Sequence, residues 1–398
     1  MKPQATIARS HLSPLILAID TSCDDTSAAV TSGITVLSNI IASQSQLHTP
    51  YGGVFPTVAK QAHQENIDQT IKLALKRAGA ASFGAGTASS GARIASFGAE
   101  VGWEQIQAIA VTQGPGLAPA LEVGIAKAKQ LALKHNLPLI AVNHIEAHAL
   151  SPLAKAKQRT SKPITPSHHF PALAIVVSGG HTEFIKVSQI GEYQRLGATI
   201  DDAAGEVLDK VGRMLNLGYP AGPIIEKFAQ NGDRKKHLIP LPMTDREDFN
   251  MSFSGLKTWA RNKLEELETQ NSLDRQGVYD FTASFQYGVF RHICYKLNKL
   301  LKKHQVVEVW LGGGVAANIQ LRRMIRETLT THSHNFLLPK IQLLTPYTKR
   351  LCMDNAAMIG ITASFQFQQQ KFVKNINDLE RKPHWEVSSW KIGKCLEN

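Results

Sequence analysis

Two histidines stand four residues apart in Asn143-His144-Ile145-Glu146-Ala147-His148, directly behind the apolar run Leu139-Ile-Ala-Val142. Residues at i and i+4 share one face of a helix, so both imidazoles can grip a single metal ion. The plain alternative is a pair of rings hydrogen-bonded inside a packed helix, and spacing alone does not choose between the two. A zinc protease of the His-Glu-x-x-His type carries its general base immediately after the first histidine. Here Glu146 comes one position later, about 200° round a helix from His144, and faces away from a metal held by the pair. The segment therefore offers a metal site without the protease base, and it needs a third ligand. Asp354 in Cys352-Met-Asp354-Asn-Ala-Ala-Met-Ile359 is one source. At the head of an apolar helix it is either an N-cap or the third member of a His-His-Asp shell with open positions.

Glycine-rich turns supply the second chemistry. Backbone amides exposed where no Cβ intrudes form a nest for anions. Ser178-Gly179-Gly180-His181-Thr182 sits between two strand-like runs and is suited to wrap phosphates, although an ordinary tight turn reads the same way. Gly312-Gly-Gly314 ahead of a helix would let the chain pass against a purine or ribose, with Asn318 offering amide hydrogen bonds. Neither turn matches G-x-G-x-x-G or the Walker pattern, which weakens Rossmann and P-loop readings. Asp202, Glu206, Asp209 and Arg213 follow at helical spacing. They form a solvated charged face, or else Asp209 points into a cleft and binds hydroxyl or ammonium groups. Tyr219-Pro-Ala-Gly222-Pro223 closes that region as a rigid turn.

The elements that must position these groups alternate between strand and helix. Leu15–Ile19 reads as a buried strand, Asp20–Ser27 as a polar turn and Ala28–Val30 as the start of a second strand. Ala172–Val177, Ser178–Thr182 and Glu183–Val187 repeat that plan, which suggests duplicated lobes. Helical periodicity covers 66–77, 123–135, 202–215, 285–303 and 319–329. The class is α/β. Ala80–Ala99 reads as a flexible surface insertion, Lys155–His169 as an exposed loop or interlobe linker, and the stretch from Lys371, with Trp385 and Trp390, as a basic tail.

Lysine and arginine number 44 against 32 aspartates and glutamates, a net charge of +12, which favours polyanionic partners such as nucleic acid. Four scattered cysteines without C-x-x-C spacing point to reduced thiols and a cytoplasmic setting. No apolar run nears the ~18 residues of a membrane span, so no membrane association is expected. The first residues lack a secretory h-region, and their basic character leaves a short organellar presequence open.

Taken together the motifs closely resemble the family of tRNA threonylcarbamoyladenosine transferases, the TsaD-type proteins formerly known as sialoglycoprotein endopeptidases. The matching stretches are Asp20-Thr-Ser-Cys-Asp24, Tyr51-Gly-Gly-Val-Phe-Pro56, Gln113-Gly-Pro-Gly-Leu117, His144–His148 and Val177-Ser-Gly-Gly-His-Thr182. Further along they are 201–210, Met251-Ser-Phe-Ser-Gly-Leu-Lys-Thr258, Gly312–Asn318 and Asp354–Ile359. The resemblance spans nearly the whole chain, apart from the 80–99 insertion and the termini.

It implies two actin-like lobes of the RNase H-like (ASKHA) kind, over 12–155 and 170–370, with the active site in the cleft between them and a basic tail over 371–398. It implies one Fe2+ or Zn2+ per subunit on His144, His148 and Asp354. Val176, Val177, Ser178, Gly179, Gly180, Asp209, Gly222 and Asn318 would bind threonylcarbamoyl-AMP. The implied reaction moves the threonylcarbamoyl group to N6 of the adenosine 3′ to the anticodon in ANN-decoding tRNAs, releasing AMP. The implied partners are tRNA and TsaB- and TsaE-like subunits, or a second copy of the chain in an organellar-type homodimer.

Some positions depart from the family pattern. Asp20 and Asp25 stand where glutamate is usual, Thr57 and Gln61 where many members have glutamate and arginine, and Pro220-Ala-Gly-Pro223 replaces Pro-Gly-Gly-Pro. No catalytic residue is assigned, and His181 and Asp25 are the candidates for proton removal. Rival readings are a zinc endopeptidase, an actin-fold kinase or ATPase, and a non-catalytic scaffold.

Overall fold

A computed structural model describes residues 13–82, 100–156 and 169–387. Most of the expected insertion and interlobe linker, and Trp390, lie outside the described residues. The first sheet contains β1 (Leu15–Asp20), β2 (Asp25–Ser32), β3 (Thr35–Ser43), β4 (Ala108–Gly114), β5 (Leu139–Asn143) and the short β6 (Lys155–Ala156). The second contains β7 (Ala172–Val177), β8 (Thr182–Gln189), β9 (Glu192–Ala198), β10 (Glu308–Gly312) and β11 (Gln342–Leu344). Strand order is β5-β4-β1-β2-β3-β6 in one and β11-β10-β7-β8-β9 in the other. Each is an antiparallel three-strand meander extended on its first strand by two parallel strands. The duplication read from the two hairpins is thus a duplication of whole sheets, the two-lobed actin-like plan.

The helices are α1 (Ser45–His48), α2 (Pro56–Ser82), α3 (Ala118–His135), α4 (His144–Leu150) and α5 (Ala204–Met214). They continue as α6 (Gly222–Ala229), α7 (Ser254–Thr269), α8 (Arg275–Lys303), α9 (Ile319–Asn335) and α10 (Ala356–Gln368). The strands are apolar on both faces because both faces are covered. Leu17, Ile19, Ile109 and Val111 meet α2 and α3 on the outside of the first sheet. Leu173, Ile175 and Val177 meet α5 to α9 on the outside of the second.

The inner faces are lined by small residues. Ile16, Ala18, Ala29, Ala108 and Ala110 take α10, while Ala172, Ala174 and Val176 take Ile145, Ala149 and Leu150 of α4. Small side chains let a helix axis approach a sheet closely, and Gly360 of α10 shows how closely. A Cβ there would lie 2.6 Å from Thr31 Oγ1. The two inner helices are therefore exchanged: α4 follows the first sheet but packs on the second, and α10 follows the second but packs on the first. They also touch each other, forming a shared middle layer. Covered on both sides, α10 is largely apolar all round, and its buried Thr362, Ser364 and Gln366 each make a hydrogen bond.

Beyond α10 the chain runs back over the first lobe. Val373 N bonds Leu139 O at 2.9 Å, Leu379 enters the outer core, and Lys382 N bonds Gln113 O at 2.8 Å. The strap then crosses to the second lobe, where Arg195 meets Glu386 at 3.1 Å and Val387 is buried.

Candidate metal centre in the interlobe cleft

Helix α4 begins at His144 because Asn143 caps it, its Oδ1 accepting from Ile145 N at 2.8 Å and Glu146 N at 3.1 Å. All seven residues of the helix are buried. His144 Nε2 lies 3.4 Å and His148 Nε2 3.0 Å from the same atom, Asp354 Oδ1. The rings stand edge to face with centroids 4.6 Å apart, and one ligand atom from each of the three residues falls within 4.8 Å of the others. Four-coordinate metals with ligand bonds of about 2.0–2.2 Å need ligand atoms ~3–3.5 Å apart, which the two distances to Asp354 already meet. Asp354 does not cap α10, as one reading of the sequence allowed. Asn355 does, accepting from Met358 N at 3.2 Å, which leaves the Asp354 carboxylate for the histidines.

The shell behind the ligands fits the same role. His144 Nδ1 lies 3.1 Å from Ser22 Oγ and 3.9 Å from Asp20 Oδ2, which turns Nε2 toward Asp354. Asp20 is itself fixed, its Oδ1 accepting from Ser22 N at 3.1 Å and Thr112 Oγ1 at 2.7 Å. Burial pulls His144 down, but the Asp354 charge and hydrogen bond outweigh it and raise its pKa. His148 is lowered, by burial and then by the neighbouring His144. Asp354 falls well below the carboxylate range because the two imidazoles outweigh its own desolvation. An anionic carboxylate against the Nε2 atoms of two buried histidines suits a divalent cation. Glu146 points the other way, accepting from Tyr193 OH at 2.9 Å, so it does not supply a protease base.

Two loops face this centre. From the first lobe comes the β1–β2 turn. Asp25 is 8 % exposed, and burial, then Asp24, Asp354 and Asp20, push its carboxyl up to about 7 against a hydrogen bond from Ser43. Burial also raises Asp24, and it lifts the Cys23 thiol well above its usual range, so Cys23 is not a thiolate. From the second lobe comes the β7–β8 turn, closed by Ser178 N to His181 O at 2.8 Å and His181 N to Ser178 Oγ at 3.1 Å. Gly179 and Gly180 are exposed, with open space where side chains would stand. The first turn of α5 abuts them, Gly205 N bonding Ser178 O at 3.2 Å, so the helix N-terminus adds positive potential to the turn. Enclosure and then the charges of His144 and His148 lower His181 to about 3, which keeps it neutral and makes it a weak base.

The other expected site residues occupy varied positions. Val176 and Val177 have fully buried side chains, leaving only their backbone for a ligand. Gly313, at φ +94°, lies against Val177, and a Cβ there would meet Val177 O at 2.3 Å. Asp209 is half-buried on α5, and its Oδ1 holds the turn into α6 by accepting from Ala221 N at 2.8 Å and Gly222 N at 3.1 Å. Asn318 caps α9, accepting from Gln320 N at 2.9 Å, and its Nδ2 donates to Gln286 Oε1 at 2.7 Å, so its amide is engaged at both ends. Asp202 is drawn off the helix face by Lys210 and Lys257, at 2.6 and 2.7 Å. Sequence reasoning did not single out Tyr193 and Gln366, which hold Glu146 across 47 and 220 residues of chain. No local signal marks contacts that distant.

Comparison with known proteins agrees with this architecture. The family described as TsaD, tRNA N6-adenosine threonylcarbamoyltransferase, matches residues 35–82 and 95–361. A protein of that name from Cyanothece sp. is 39% identical over 360 residues, covering 89% of this chain and 92% of its own. One from Halalkalibacterium halodurans is 39% identical over 376 residues, covering 94% and 97%. Among solved structures, HypF of T. kodakarensis superposes with a TM-score of 0.54 at 13% identity, over 90% of this chain and 49% of that one, a likeness of fold alone. By sequence match over most of its length, the chain belongs to the TsaD family of tRNA N6-adenosine threonylcarbamoyltransferases.

Proposed function

We propose that this protein transfers the threonylcarbamoyl group of threonylcarbamoyl-AMP to N6 of the adenosine 3′ to the anticodon in ANN-decoding tRNAs. The observation that carries the reading is the meeting of His144, His148 and Asp354 beside the open Ser178–Gly180 turn. Family membership supplies the acceptor class, and the net charge of +12 suits an RNA partner.

In this reading the backbone from Val176 to Gly180 and the N-terminus of α5 hold the phosphate of the acyl-adenylate. Asp209 and Gly222 bind beside it, and Asn318 shapes the nucleotide pocket through the cap of α9. A divalent ion, Fe2+ or Zn2+, would be held by His144, His148 and Asp354 and would supply Lewis acidity toward the acyl donor. N6 attacks the carbamoyl carbon, the bond from that carbon to the phosphate oxygen breaks, and AMP departs with the electron pair. The amine gives up one proton. Asp25 is the better acceptor because a carboxyl poised near 7 is partly ionised at neutral pH, whereas His181 near 3 binds a proton too weakly. The adenosine must be presented unstacked, which fits recognition of a single-stranded RNA loop.

The proposed setting is cytoplasmic, with TsaB- and TsaE-like subunits or a second copy of the chain as partners. No described helix is long and apolar enough to cross a membrane. The test is reconstitution of the purified chain with such subunits, threonylcarbamoyl-AMP and unmodified tRNA, followed by nucleoside mass spectrometry. Threonylcarbamoyladenosine formed with the wild type and lost with Asp354→Asn supports the reading. Cleavage of a protein substrate instead would replace it with the endopeptidase.

A further inference from the structure

Glu146 is 3 % exposed and lies between the two histidines in sequence, on the opposite side of the helix. Burying a carboxylate is costly unless donors are aimed at it. Among the described residues two hydrogen-bond it, Tyr193 OH at 2.9 Å, from β9 of the second sheet, and Gln366 Nε2 at 3.2 Å, from α10 on the first, and the Lys371 charge acts on it as well. If this position only filled space, a leucine would fill it without that cost.

The identity of the partner elements gives the arrangement its meaning. Asp354 lies one residue before Asn355, the cap of α10, so the Glu146–Gln366 bond joins the element carrying both histidines to the helix that follows the third ligand. Tyr193, itself 7 % exposed, fixes the other carboxylate oxygen and sets the rotation of α4 about its axis. At the start of the same helix Asn143, besides capping it, donates from Nδ2 to Trp385 O at 3.1 Å. Helix α4 is thus pinned at its N-cap and at its third residue.

We infer that Glu146 is a positioning residue for the metal centre: clamped by Tyr193 and Gln366, it fixes the distance and rotation between the His144–His148 pair and Asp354. The inference rests on the metal reading given above. Outer-shell partners of this kind change metal affinity by about 10- to 100-fold when removed.

The test is titration of the metal-free full-length chain with Co2+, read by its visible absorption bands, for wild type, Glu146→Gln, Tyr193→Phe, Gln366→Leu and the Tyr193/Gln366 double variant. The wild type is expected to give a saturable spectrum. Tyr193→Phe and Gln366→Leu should each weaken Co2+ binding several-fold, and together by at least ~10-fold, with altered band positions or intensities. Glu146→Gln, which keeps an acceptor and the shape, should retain most of the affinity. Tyr193→Phe removes one hydroxyl and keeps the ring, so it decides the matter even where Gln366→Leu fails to fold. A double variant that is cooperatively folded and binds Co2+ with wild-type affinity and spectrum would overturn the inference and leave the metal reading standing. A wild type that binds no Co2+ would overturn both.

Discussion

Two buried imidazoles share one oxygen of Asp354, and this one atom makes the site sensitive to charge. Asp354→Asn preserves shape but removes the anion, so bound divalent metal should fall by at least ~100-fold, measured by metal analysis after dialysis against a weak chelator. Retention of stoichiometric metal would contradict the assignment. Asp25 makes a second residue-level prediction. Its folded pKa of about 7 exceeds the 3.8 of an ordinary carboxyl, so the folded chain holds this proton more tightly than the unfolded chain. The stability it contributes is full below pH ~4 and is lost as pH rises through ~7, at up to about 1.4 kcal/mol per unit. In the metal-free protein Asp25→Asn should therefore flatten the fall in stability between those values. The difference between the two curves, taken from denaturant unfolding at several pH values, isolates Asp25 from Glu146 and Glu183, which burial also lifts to about 7. Parallel curves would show that Asp25 titrates normally.

At the scale of elements, turns and helix ends do the positioning. Gly313 combines a left-handed φ of +94° with Val177 O in the space a Cβ would need, so it fixes the end of β10 against β7. Gly313→Ala should cost about 1–3 kcal/mol in denaturant unfolding and lower affinity for the acyl-adenylate, while Gly314→Ala, with open space around it, should be mild. Equal effects of the two would contradict the packing argument. Much at this scale was legible in sequence. The periodicity at 123–135 falls within α3 and that at 319–329 within α9, because each carries one apolar face. The β1–β2 and β7–β8 hairpins were readable because continuous apolar runs flank short polar tips. The exchange of α4 and α10 between sheets was not readable, since α4 is only seven residues, all buried, and α10 is apolar on nearly every side, so neither pattern says which surface it will meet. Nor was the dual engagement of Asn318, whose partner Gln286 lies 32 residues away on another helix.

For the whole molecule, residues 371–387 of the stretch read as a basic tail form a strap across both lobes. It bonds the first lobe through Gln113, Gly116 and Asn143 and reaches the second through Glu386 and Val387. Leu379 and Val387 are 7 % and 2 % exposed, and burying two such side chains stabilises by roughly 3–5 kcal/mol together. Truncation before Val373 should lower the thermal midpoint by several degrees and weaken metal retention through Asn143; an unchanged midpoint would make the strap dispensable. The two sheets and the exchanged helices converge on one cleft, and the strap reaches it through the Asn143 cap of α4. The most direct test is the threonylcarbamoyladenosine content of tRNA, by nucleoside mass spectrometry, in a strain depleted of its own transferase and complemented with wild type or His144→Ala. Wild type should restore the modified nucleoside, and His144→Ala, accumulating as folded protein, should not. Full restoration by His144→Ala would contradict the proposed function.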